Sequence, residues 1–417
     1  MATKTLADIK TAGKRVLMRV DFNVPVKGGK VTNDRRIVEA LPSIKRVLQA
    51  GSKLILMSHL GRPEGNGFEK EYSLAPVAER LGELLGVKVL LGPGEVVGPE
   101  AKKLADGLKD GQVLLLENVR FHPGETMPDK AKKNPDKKLL AYQQQIHDEF
   151  VATLAELGEV YVNDAFGTCH RKHASMYGVA KAVQSRGGPA VAGFLVEKEI
   201  KYLHEAVANP VRPFVAILGG AKVSDKIKLI STLLSKVDRI LIGGAMAYTL
   251  LKARGLKVGK SLVEADQVEE MTRLLASAGD KILLPVDHVG AGDFNSSSPV
   301  KIADVNIPDD LLGMDIGEKT IAAFSAVIAS AKTIVWNGPM GVFERAQYAN
   351  GTSAVAKAVA EATRKGAVSV IGGGDSAAAV EQMNLADKMT HISTGGGASL
   401  EYLEGKSMPP IEVLDKK

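Results

Sequence analysis

The chain has little cysteine, few aromatic residues and no long apolar run. A single cysteine, Cys169, among 417 residues excludes an internal disulfide and agrees with a reducing compartment. Only 5% of the residues are aromatic while 45% are hydrophobic, so the core must be mostly aliphatic. No apolar run is long enough to span a bilayer, and the first fifteen residues lack the apolar region of a signal peptide. We therefore expect a cytoplasmic protein with no membrane partner.

The net charge of +6 is mild and indicates no strongly basic binding surface. The lysine-rich stretch 130–138 has no aromatic residues among its charges, which is typical of a solvated loop. Cys169, His170 and His173 lie close together but leave a zinc site one ligand short. We expect neither a nucleic-acid partner nor a zinc ion, whereas a small anionic substrate would suit the charge.

Glycine, in contrast, is abundant at 43 residues, and much of it follows short apolar runs. Continuous apolar runs of this length are typical of buried parallel strands, and ligands of open α/β sheets bind beyond the carboxyl ends of such strands. The pattern therefore predicts functional groups along the edges of two sheets. The runs are 16–20, 53–57, 112–116, 160–162, 214–218, 240–242, 281–284, 333–336, 368–371 and 391–394.

Helical stretches alternate with the apolar runs, which predicts an α/β fold with parallel sheets covered by helices on both faces. We predict two doubly wound lobes, residues 1–190 and 211–404, joined by a hinge helix at 191–210. The final segment, 405–417, contains Pro409-Pro410, which cannot continue a helix, and we predict that it runs back across the molecule.

Charged side chains dominate the strand ends of the first half. The planar fork of arginine binds carboxylates and phosphates through two hydrogen bonds, so four arginines and a histidine at one sheet edge would bind a small polyanion. A single arginine is more often part of a surface ion pair, and the set carries the prediction. Its members are Asp21, Asn23, Arg36, His59, Arg62, Arg120 and Arg171.

The clearest phosphate signal in the second half is residues 367–380, AVSVIGGGDSAAAV. This order predicts a strand, a tight turn and a helix, whose free N–H groups and partial positive charge suit a phosphate. Gly373 and Gly374 would hold terminal phosphates, and Asp375 would face a phosphate-bound magnesium ion. A close-packed turn without a ligand is the alternative.

Other groups of the second half complete a predicted nucleotide site. Lys222 and Lys226 are four residues apart at the opening of a predicted helix, so both would face one phosphate chain. Glu344 would accept a hydrogen bond from a ribose hydroxyl, or it is simply a solvated carboxylate. Four glycines would let a flat base lie against the backbone; they are Gly219, Gly220, Gly243 and Gly244.

Two further glycine patterns are read as surface turns. Residues 255–261, GLKVGKS, have one residue too few for a P-loop. Gly92 to Gly98 misses the dinucleotide fingerprint by one residue, and no helix is predicted there.

A polyanion site on one lobe and a nucleotide site on the other favour phosphoryl transfer between them, which needs in-line approach and exclusion of water.

Eight long motifs extend along the chain: RVDFNVP at 19–25, SHLGRP at 58–63, ENVRFH at 117–122, VNDAFGTCHR at 162–171, LGGAKV at 218–223, VWNGPMGVFE at 335–344, GGGDS at 372–376 and STGGGASLE at 393–401. Through these motifs the chain resembles the phosphoglycerate kinase family over nearly its whole length. The resemblance implies reversible, in-line phosphoryl transfer from 1,3-bisphosphoglycerate to MgADP across a closing cleft, by a monomer whose C-terminal tail packs on the first lobe.

The resemblance also implies a role for each site residue. Phosphoglycerate would be bound by Asp21, Asn23, Arg36, His59, Leu60, Gly61, Arg62, Arg120 and Arg171. The nucleotide would be bound by Gly219, Lys222, Lys226, Gly243, Gly317, Asn337, Glu344, Gly373, Gly374, Asp375 and Ser376, with Asp375 as the magnesium ligand. The moving phosphoryl group would be stabilised by Arg36, Lys222, Gly374 and Gly396.

Three rival functions are to be weighed against this one. A kinase of the same plan for another small acid would act on a different carboxylate. A binding protein descended from the enzyme would be expected to lack Arg36, Lys222 or Asp375, and all three are present. A dinucleotide-dependent oxidoreductase would need the glycine fingerprint that is missing here.

Overall fold

The computed structural model describes residues 2–134 and 136–417. The chain forms two compact units, Met1–Ile200 together with Ser407–Lys417, and Lys201–Lys406. Each unit has its own aliphatic core, as the composition predicts, and the single tryptophan, Trp336, is fully buried in the second core. Within the described residues, each helix is too short or too polar to cross a lipid bilayer.

The first unit contains a six-stranded parallel sheet of order β5-β6-β4-β1-β7-β8 and a two-stranded hairpin, β2-β3. Its strands are β1 (Arg15–Val20), β2 (Val26–Lys27), β3 (Lys30–Val31), β4 (Lys53–Met57), β5 (Val89–Leu91), β6 (Val113–Leu115), β7 (Val160–Asp164) and β8 (Ala190–Ala192). Its helices are α1 (Arg35–Gln49), α2 (Ala75–Leu85), α3 (Pro99–Asp106), α4 (Met127–Lys130), α5 (Ala141–Glu156) and α6 (Val179–Ser185), and α7 (Phe194–Ala208) leads into the second unit.

The second unit contains a parallel sheet of order β11-β10-β9-β15-β16-β17 and an antiparallel sheet of order β13-β12-β14. Its strands are β9 (Phe214–Leu218), β10 (Arg239–Ile242), β11 (Ile282–Leu283), β12 (His288–Ala291), β13 (Val300–Ile302), β14 (Leu312–Ile316), β15 (Thr333–Asn337), β16 (Val368–Gly372) and β17 (His391–Ile392). Its helices are α8 (Ile227–Leu234), α9 (Met246–Ala253), α10 (Val268–Ala278), α11 (Glu318–Ser330), α12 (Asn350–Arg364), α13 (Gly374–Gln382) and α14 (Gly397–Leu403).

The C-terminal segment lies against the first unit. A short helix, α15 (Pro409–Glu412), starts at the two prolines, which fit the first turn of a helix because they need no N–H partner there. The Nδ2 of Asn163 donates to the carbonyl of Pro410 at 3.1 Å, and the amide of Asp415 donates to the carbonyl of Ala190 at 2.9 Å.

The predicted α/β class and all ten predicted strands are confirmed, while several elements were missed. The edge strands β5 and β8 are three residues long, too short to stand out as apolar runs. The antiparallel sheet carries glycine and aspartate within its strands, so no continuous apolar run marks it. The expectation that no helix opens after Gly98 is wrong, because α3 begins there. The side chain of Glu95 fills the space beside Gly98, where a phosphate would have to approach.

Candidate active site

In the first unit, the strand ends place an acid beside an arginine. Asp21, directly after β1, is buried, and its Oδ2 accepts a hydrogen bond from Nη1 of Arg36 at 2.8 Å. Arg36 lies in the first turn of α1 and keeps about a third of its side chain exposed, at 31%. Asp21 therefore holds the guanidinium at the sheet edge while leaving donors free for an anion.

His59, after β4, lies within a cluster of cations. Its Nδ1 is 3.2 Å from Nη2 of Arg19, which donates to it, so the neutral ring carries its proton on Nε2. Burial lowers the pKa of His59 well below its ordinary value, and the charges of Arg19 and Arg120 lower it further. His59 is therefore a neutral donor at physiological pH.

The loop that follows His59 is fixed by the backbone and by two polar side chains. The amide of Gly61 donates to Oδ1 of Asn23 at 2.9 Å, and its carbonyl accepts from Nη1 of Arg120 at 2.7 Å. Nε of Arg120 is buried and has no partner among the described residues, and burial lowers the pKa of this side chain to about 10. Arg62 is exposed, and Leu60 is buried beneath the loop.

Arg171 and Arg36 are held by different acidic residues. Its Nη1 donates to Oδ2 of Asp129 at 2.7 Å, and the same oxygen is 2.9 Å from Nε2 of the fully buried His173. The hydrogen bond from His173 holds the pKa of Asp129 well below its usual range, so the carboxylate stays charged. The charge of Arg171 contributes to lowering the pKa of Arg120, so these two cations act on one region.

A buried layer that the sequence motifs do not reveal lies beneath these residues. Nε of Arg19, which is fully buried, donates to Oγ of Ser175 at 2.8 Å, and Ser175 donates to the buried Glu125 at 2.7 Å. Ser175 lies in the π-helical turn Ala174–Gly178, a local widening often seen at functional sites. Arg19 was the sequence signal for this layer, because it lies within an apolar strand run and buried arginines are almost always paired.

In the second unit, the strand ends enclose a cavity of about 420 Å³ with a mostly apolar wall. Leu262, Phe294, Met314 and Val342 line it, and Glu344 and Asp375 are its charged residues. The size and the balance of apolar wall and few polar groups are typical of a small-molecule site.

The glycines around this cavity have two different tasks. Gly220 and Gly244 line it, as the predicted contact with a flat base requires. Gly219 and Gly243 instead let the loops pack on each other, because a Cβ at Gly219 would overlap the carbonyl oxygen of Pro339 and one at Gly243 would press on Met340.

The start of α13 has the predicted order of strand, turn and helix. Gly373 has a φ of +86° and lies directly before the helix, and a Cβ at Gly374 would meet nothing within 4 Å. Asp375 is exposed in the first turn of α13 and lines the cavity. The Oγ of Ser376 is buried and accepts from the amide of Gly338 at 2.6 Å, so its structural task is to hold the neighbouring loop.

Lys222 and Lys226 lie before α8 rather than inside its first turn, contrary to the sequence prediction. Helix α8 begins at Ile227, later than expected, so Lys222 and Lys226 lie in the preceding turn and the helical spacing argument is wrong. Lys222 is exposed. Lys226 donates to Oδ1 of Asn337, and burial lowers its pKa. Nδ2 of Asn337 is buried beside Gly373 with no partner in the described part of the chain.

Gly317 and Gly396 are two of the predicted residues that do not line the cavity. Gly317 precedes α11, and a Cβ there would overlap the carboxylate of Asp287, which caps that helix. Gly317 is not among the described residues that line the cavity. Gly396, with a φ of +51°, precedes α14, and a Cβ there would meet open space.

Magnesium that is held mainly by substrate phosphates needs only one or two protein carboxylates. Asp375 is an exposed carboxylate at the end of the cavity beside a helix N-terminus, and its single charge fits this manner of binding.

Comparison with known proteins agrees with this geometry. The family model described as phosphoglycerate kinase matches residues 6–406. The phosphoglycerate kinases of Lactobacillus gasseri and Chlorobium phaeobacteroides are each 53% identical to this chain, with full coverage of both sequences. The solved phosphoglycerate kinase of Coxiella burnetii is 39% identical with a TM-score of 0.84, covering 99% of this chain and 98% of its own. That of Pyrococcus horikoshii is 33% identical with a TM-score of 0.81, covering 98% of each.

Proposed function

This chain belongs to the phosphoglycerate kinase family, and we propose a role for each of its two sites in the family's reaction. The chain is a transferase that moves a phosphoryl group reversibly from 1,3-bisphosphoglycerate to ADP, giving 3-phosphoglycerate and ATP. One observation carries the assignment of sites: arginines fill the sheet edge of the first unit, and a glycine-lined cavity ending at a helix N-terminus occupies that of the second.

The first unit would bind the phosphoglycerate. Arg36, held by Asp21, and Arg120, held by the carbonyl of Gly61, present guanidinium donors that suit phosphate and carboxylate oxygens. Neutral His59 would donate from Nε2. The rest of the predicted anion set is Asn23, Leu60, Gly61, Arg62 and Arg171.

The second unit would bind the nucleotide, with the base in the apolar part of the cavity and the phosphates at the start of α13. Glu344 would accept from the ribose, and Lys226 and Asn337 would meet the phosphate chain. Asp375 would hold magnesium, which neutralises phosphate charge when it is bound. Lys222 and the amides of Gly374 and Gly396 would stabilise the moving group; Gly219, Gly243, Gly317, Gly373 and Ser376 would shape the loops.

We place this reaction in a cytoplasmic monomer that bends at the helix between its lobes. Closure over both substrates would keep water from competing for the phosphoryl group.

The first test is phosphorylation of 3-phosphoglycerate by purified protein with MgATP. Robust turnover is the expected result, and a folded protein that binds MgATP without turnover would reject the assignment.

Asp375→Ala should raise the magnesium concentration needed for half-maximal activity. Asp387→Ala, which changes an exposed aspartate past the end of α13, should not. Unaltered magnesium dependence in Asp375→Ala would remove Asp375 from that role.

A further inference from the structure

One side chain in the wall of the nucleotide cavity has a polar group that the reaction has not used. Tyr248, in α9, lines the cavity and is 4% exposed. Among the described residues of that wall, the other polar side chains are the carboxylates of Glu344 and Asp375. Tyr248 therefore brings the one neutral side-chain donor to an otherwise apolar pocket.

The hydroxyl end of Tyr248 lies against the backbone of the cavity wall. A Cβ at Gly313 would overlap the phenolic oxygen, and Gly313 itself lines the cavity. The amide of Gly313 already donates to Oγ of Ser261 at 2.9 Å. The glycine therefore makes room for the hydroxyl without pairing with it.

The other buried tyrosines pair their hydroxyls within the protein. The Tyr161 hydroxyl donates to the carbonyl of Ser175 at 2.8 Å, and that of Tyr348 donates to the carbonyl of Ser296 at 2.9 Å. The Tyr248 hydroxyl has no hydrogen-bond partner in the part of the chain that the structure describes, and its oxygen is not sealed in the protein interior, so a molecule in the cavity can pair with it. Burial raises the pKa of Tyr248, so its hydroxyl remains a donor at neutral pH.

We propose that Tyr248 determines the base-dependent part of nucleotide affinity, with its hydroxyl forming a hydrogen bond to the polar edge of a purine base. The inference rests on the proposed function of the second unit as the nucleotide site. It deepens that function by naming the side chain that senses the base, whereas α13 and the lysines sense the phosphates. A single net hydrogen bond corresponds to roughly a 2- to 12-fold change in affinity.

The test compares Tyr248→Phe with a matched control, Tyr348→Phe. Tyr348 is equally buried in the same unit but lies outside the wall of the cavity. Two probes separate the base from the phosphates: adenosine binding, and inorganic pyrophosphate as a competitor of MgATP. Tyr248→Phe should weaken adenosine binding and raise the KM for ATP about 2- to 12-fold, with pyrophosphate competition and the KM for 3-phosphoglycerate unchanged. Tyr348→Phe should alter none of these, although it loses a hydrogen bond.

Gly313→Ala provides a second perturbation, because its methyl group would displace the hydroxyl without removing it. It should weaken adenosine binding in the same direction. Unchanged adenosine affinity in Tyr248→Phe would overturn the proposal, as would an equal loss for adenosine and pyrophosphate, which would indicate a general structural defect. Failure of the parent protein to phosphorylate 3-phosphoglycerate would instead overturn the proposed function, so the two failures are distinguishable.

Discussion

The two proposed anion sites, one at each sheet edge, are built from different materials. In the first unit the site consists of charged side chains held by partners, such as Arg36 on Asp21 and Arg171 on Asp129. In the second unit the proposed site combines a mostly apolar wall with exposed backbone at glycines: Gly220 and Gly244 line the cavity, and Gly374 begins the helix beside it. A substrate that is small and highly charged needs many directed donors, whereas a nucleotide needs a flat apolar slot and a row of amides.

The difference in material has an electrostatic consequence. Clustered arginines repel one another, and the first unit compensates with the buried acids Asp21 and Glu125 and with the partly exposed Asp129. The proposed phosphate site of the second unit instead relies partly on helix starts and backbone amides, which bring no net charge and need no partner acids. Side-chain substitutions should therefore disable the first site directly, whereas the second should be sensitive to added volume.

The largest expected effect is at Arg36. Arg36→Ala removes a guanidinium proposed to contact the moving phosphoryl group, and turnover should fall on the order of 100- to 1000-fold while MgATP affinity changes little. Steady-state kinetics with 3-phosphoglycerate measures the loss. Arg46→Ala, an exposed arginine near the end of the same helix, is the control and should retain normal turnover. Full activity in Arg36→Ala would show that the first site does not depend on this side chain.

A pair of glycine variants should separate packing from ligand contact in the second unit. Gly219→Ala would press a methyl group on the carbonyl of Pro339 and should lower the free energy of unfolding by about 1–3 kcal/mol. Gly374→Ala meets no protein atom within 4 Å, so stability should hold while the methyl group obstructs phosphate and raises the KM for ATP. Fluorescence of Trp336, the single tryptophan, reports unfolding of this unit. Equal stability of both variants would contradict the division of tasks.

The main sheets could be predicted because their strands are continuous apolar runs with glycine or charge at one end. The strand that ends at Asn337 and the turn at Gly373 both follow from this local pattern. The small antiparallel sheet could not, since β14 contains Gly313 and Asp315, whose places depend on tertiary neighbours: Tyr248 for the glycine, and α12 for the aspartate.

The same limit applies to the sites. The residue types that follow each strand predict which cations and glycines lie at the sheet edges. Which partner each side chain binds depends on the folded chain and cannot be predicted from the local sequence. Nothing local indicates that Arg171 would be held by Asp129, 42 residues away, or that Ser376 would hold the loop at Gly338. Lys222 and Lys226 show a further limit, because the position at which α8 begins depends on packing that the sequence pattern does not reveal.

A buried acid in the second unit should make its stability fall as pH rises. Asp315 accepts from the amide of Gly351 at 2.6 Å, and burial raises its pKa to about 7. Between about pH 4 and 7 the folded state holds a proton that the unfolded state has lost, so stability should decrease by up to about 1.4 kcal/mol per pH unit. Urea unfolding followed by Trp336 fluorescence measures this slope. Asp315→Asn should reduce it, and an identical slope in the variant would contradict the assignment.

His59 should produce the opposite slope in the first unit. Burial and the neighbouring arginines lower the pKa of His59 in the folded unit. Below about pH 6.5 the side chain is therefore protonated in the unfolded chain but not in the folded unit, so the free energy of unfolding decreases as pH falls. His59→Gln should remove up to about 1.4 kcal/mol per pH unit of this dependence. NMR titration of the ring should show a neutral imidazole at pH 6. A bound anion would partly cancel the charge of the arginines, so 3-phosphoglycerate should raise the pKa of His59. If 3-phosphoglycerate leaves this pKa unchanged, the arginines around His59 do not form the substrate site.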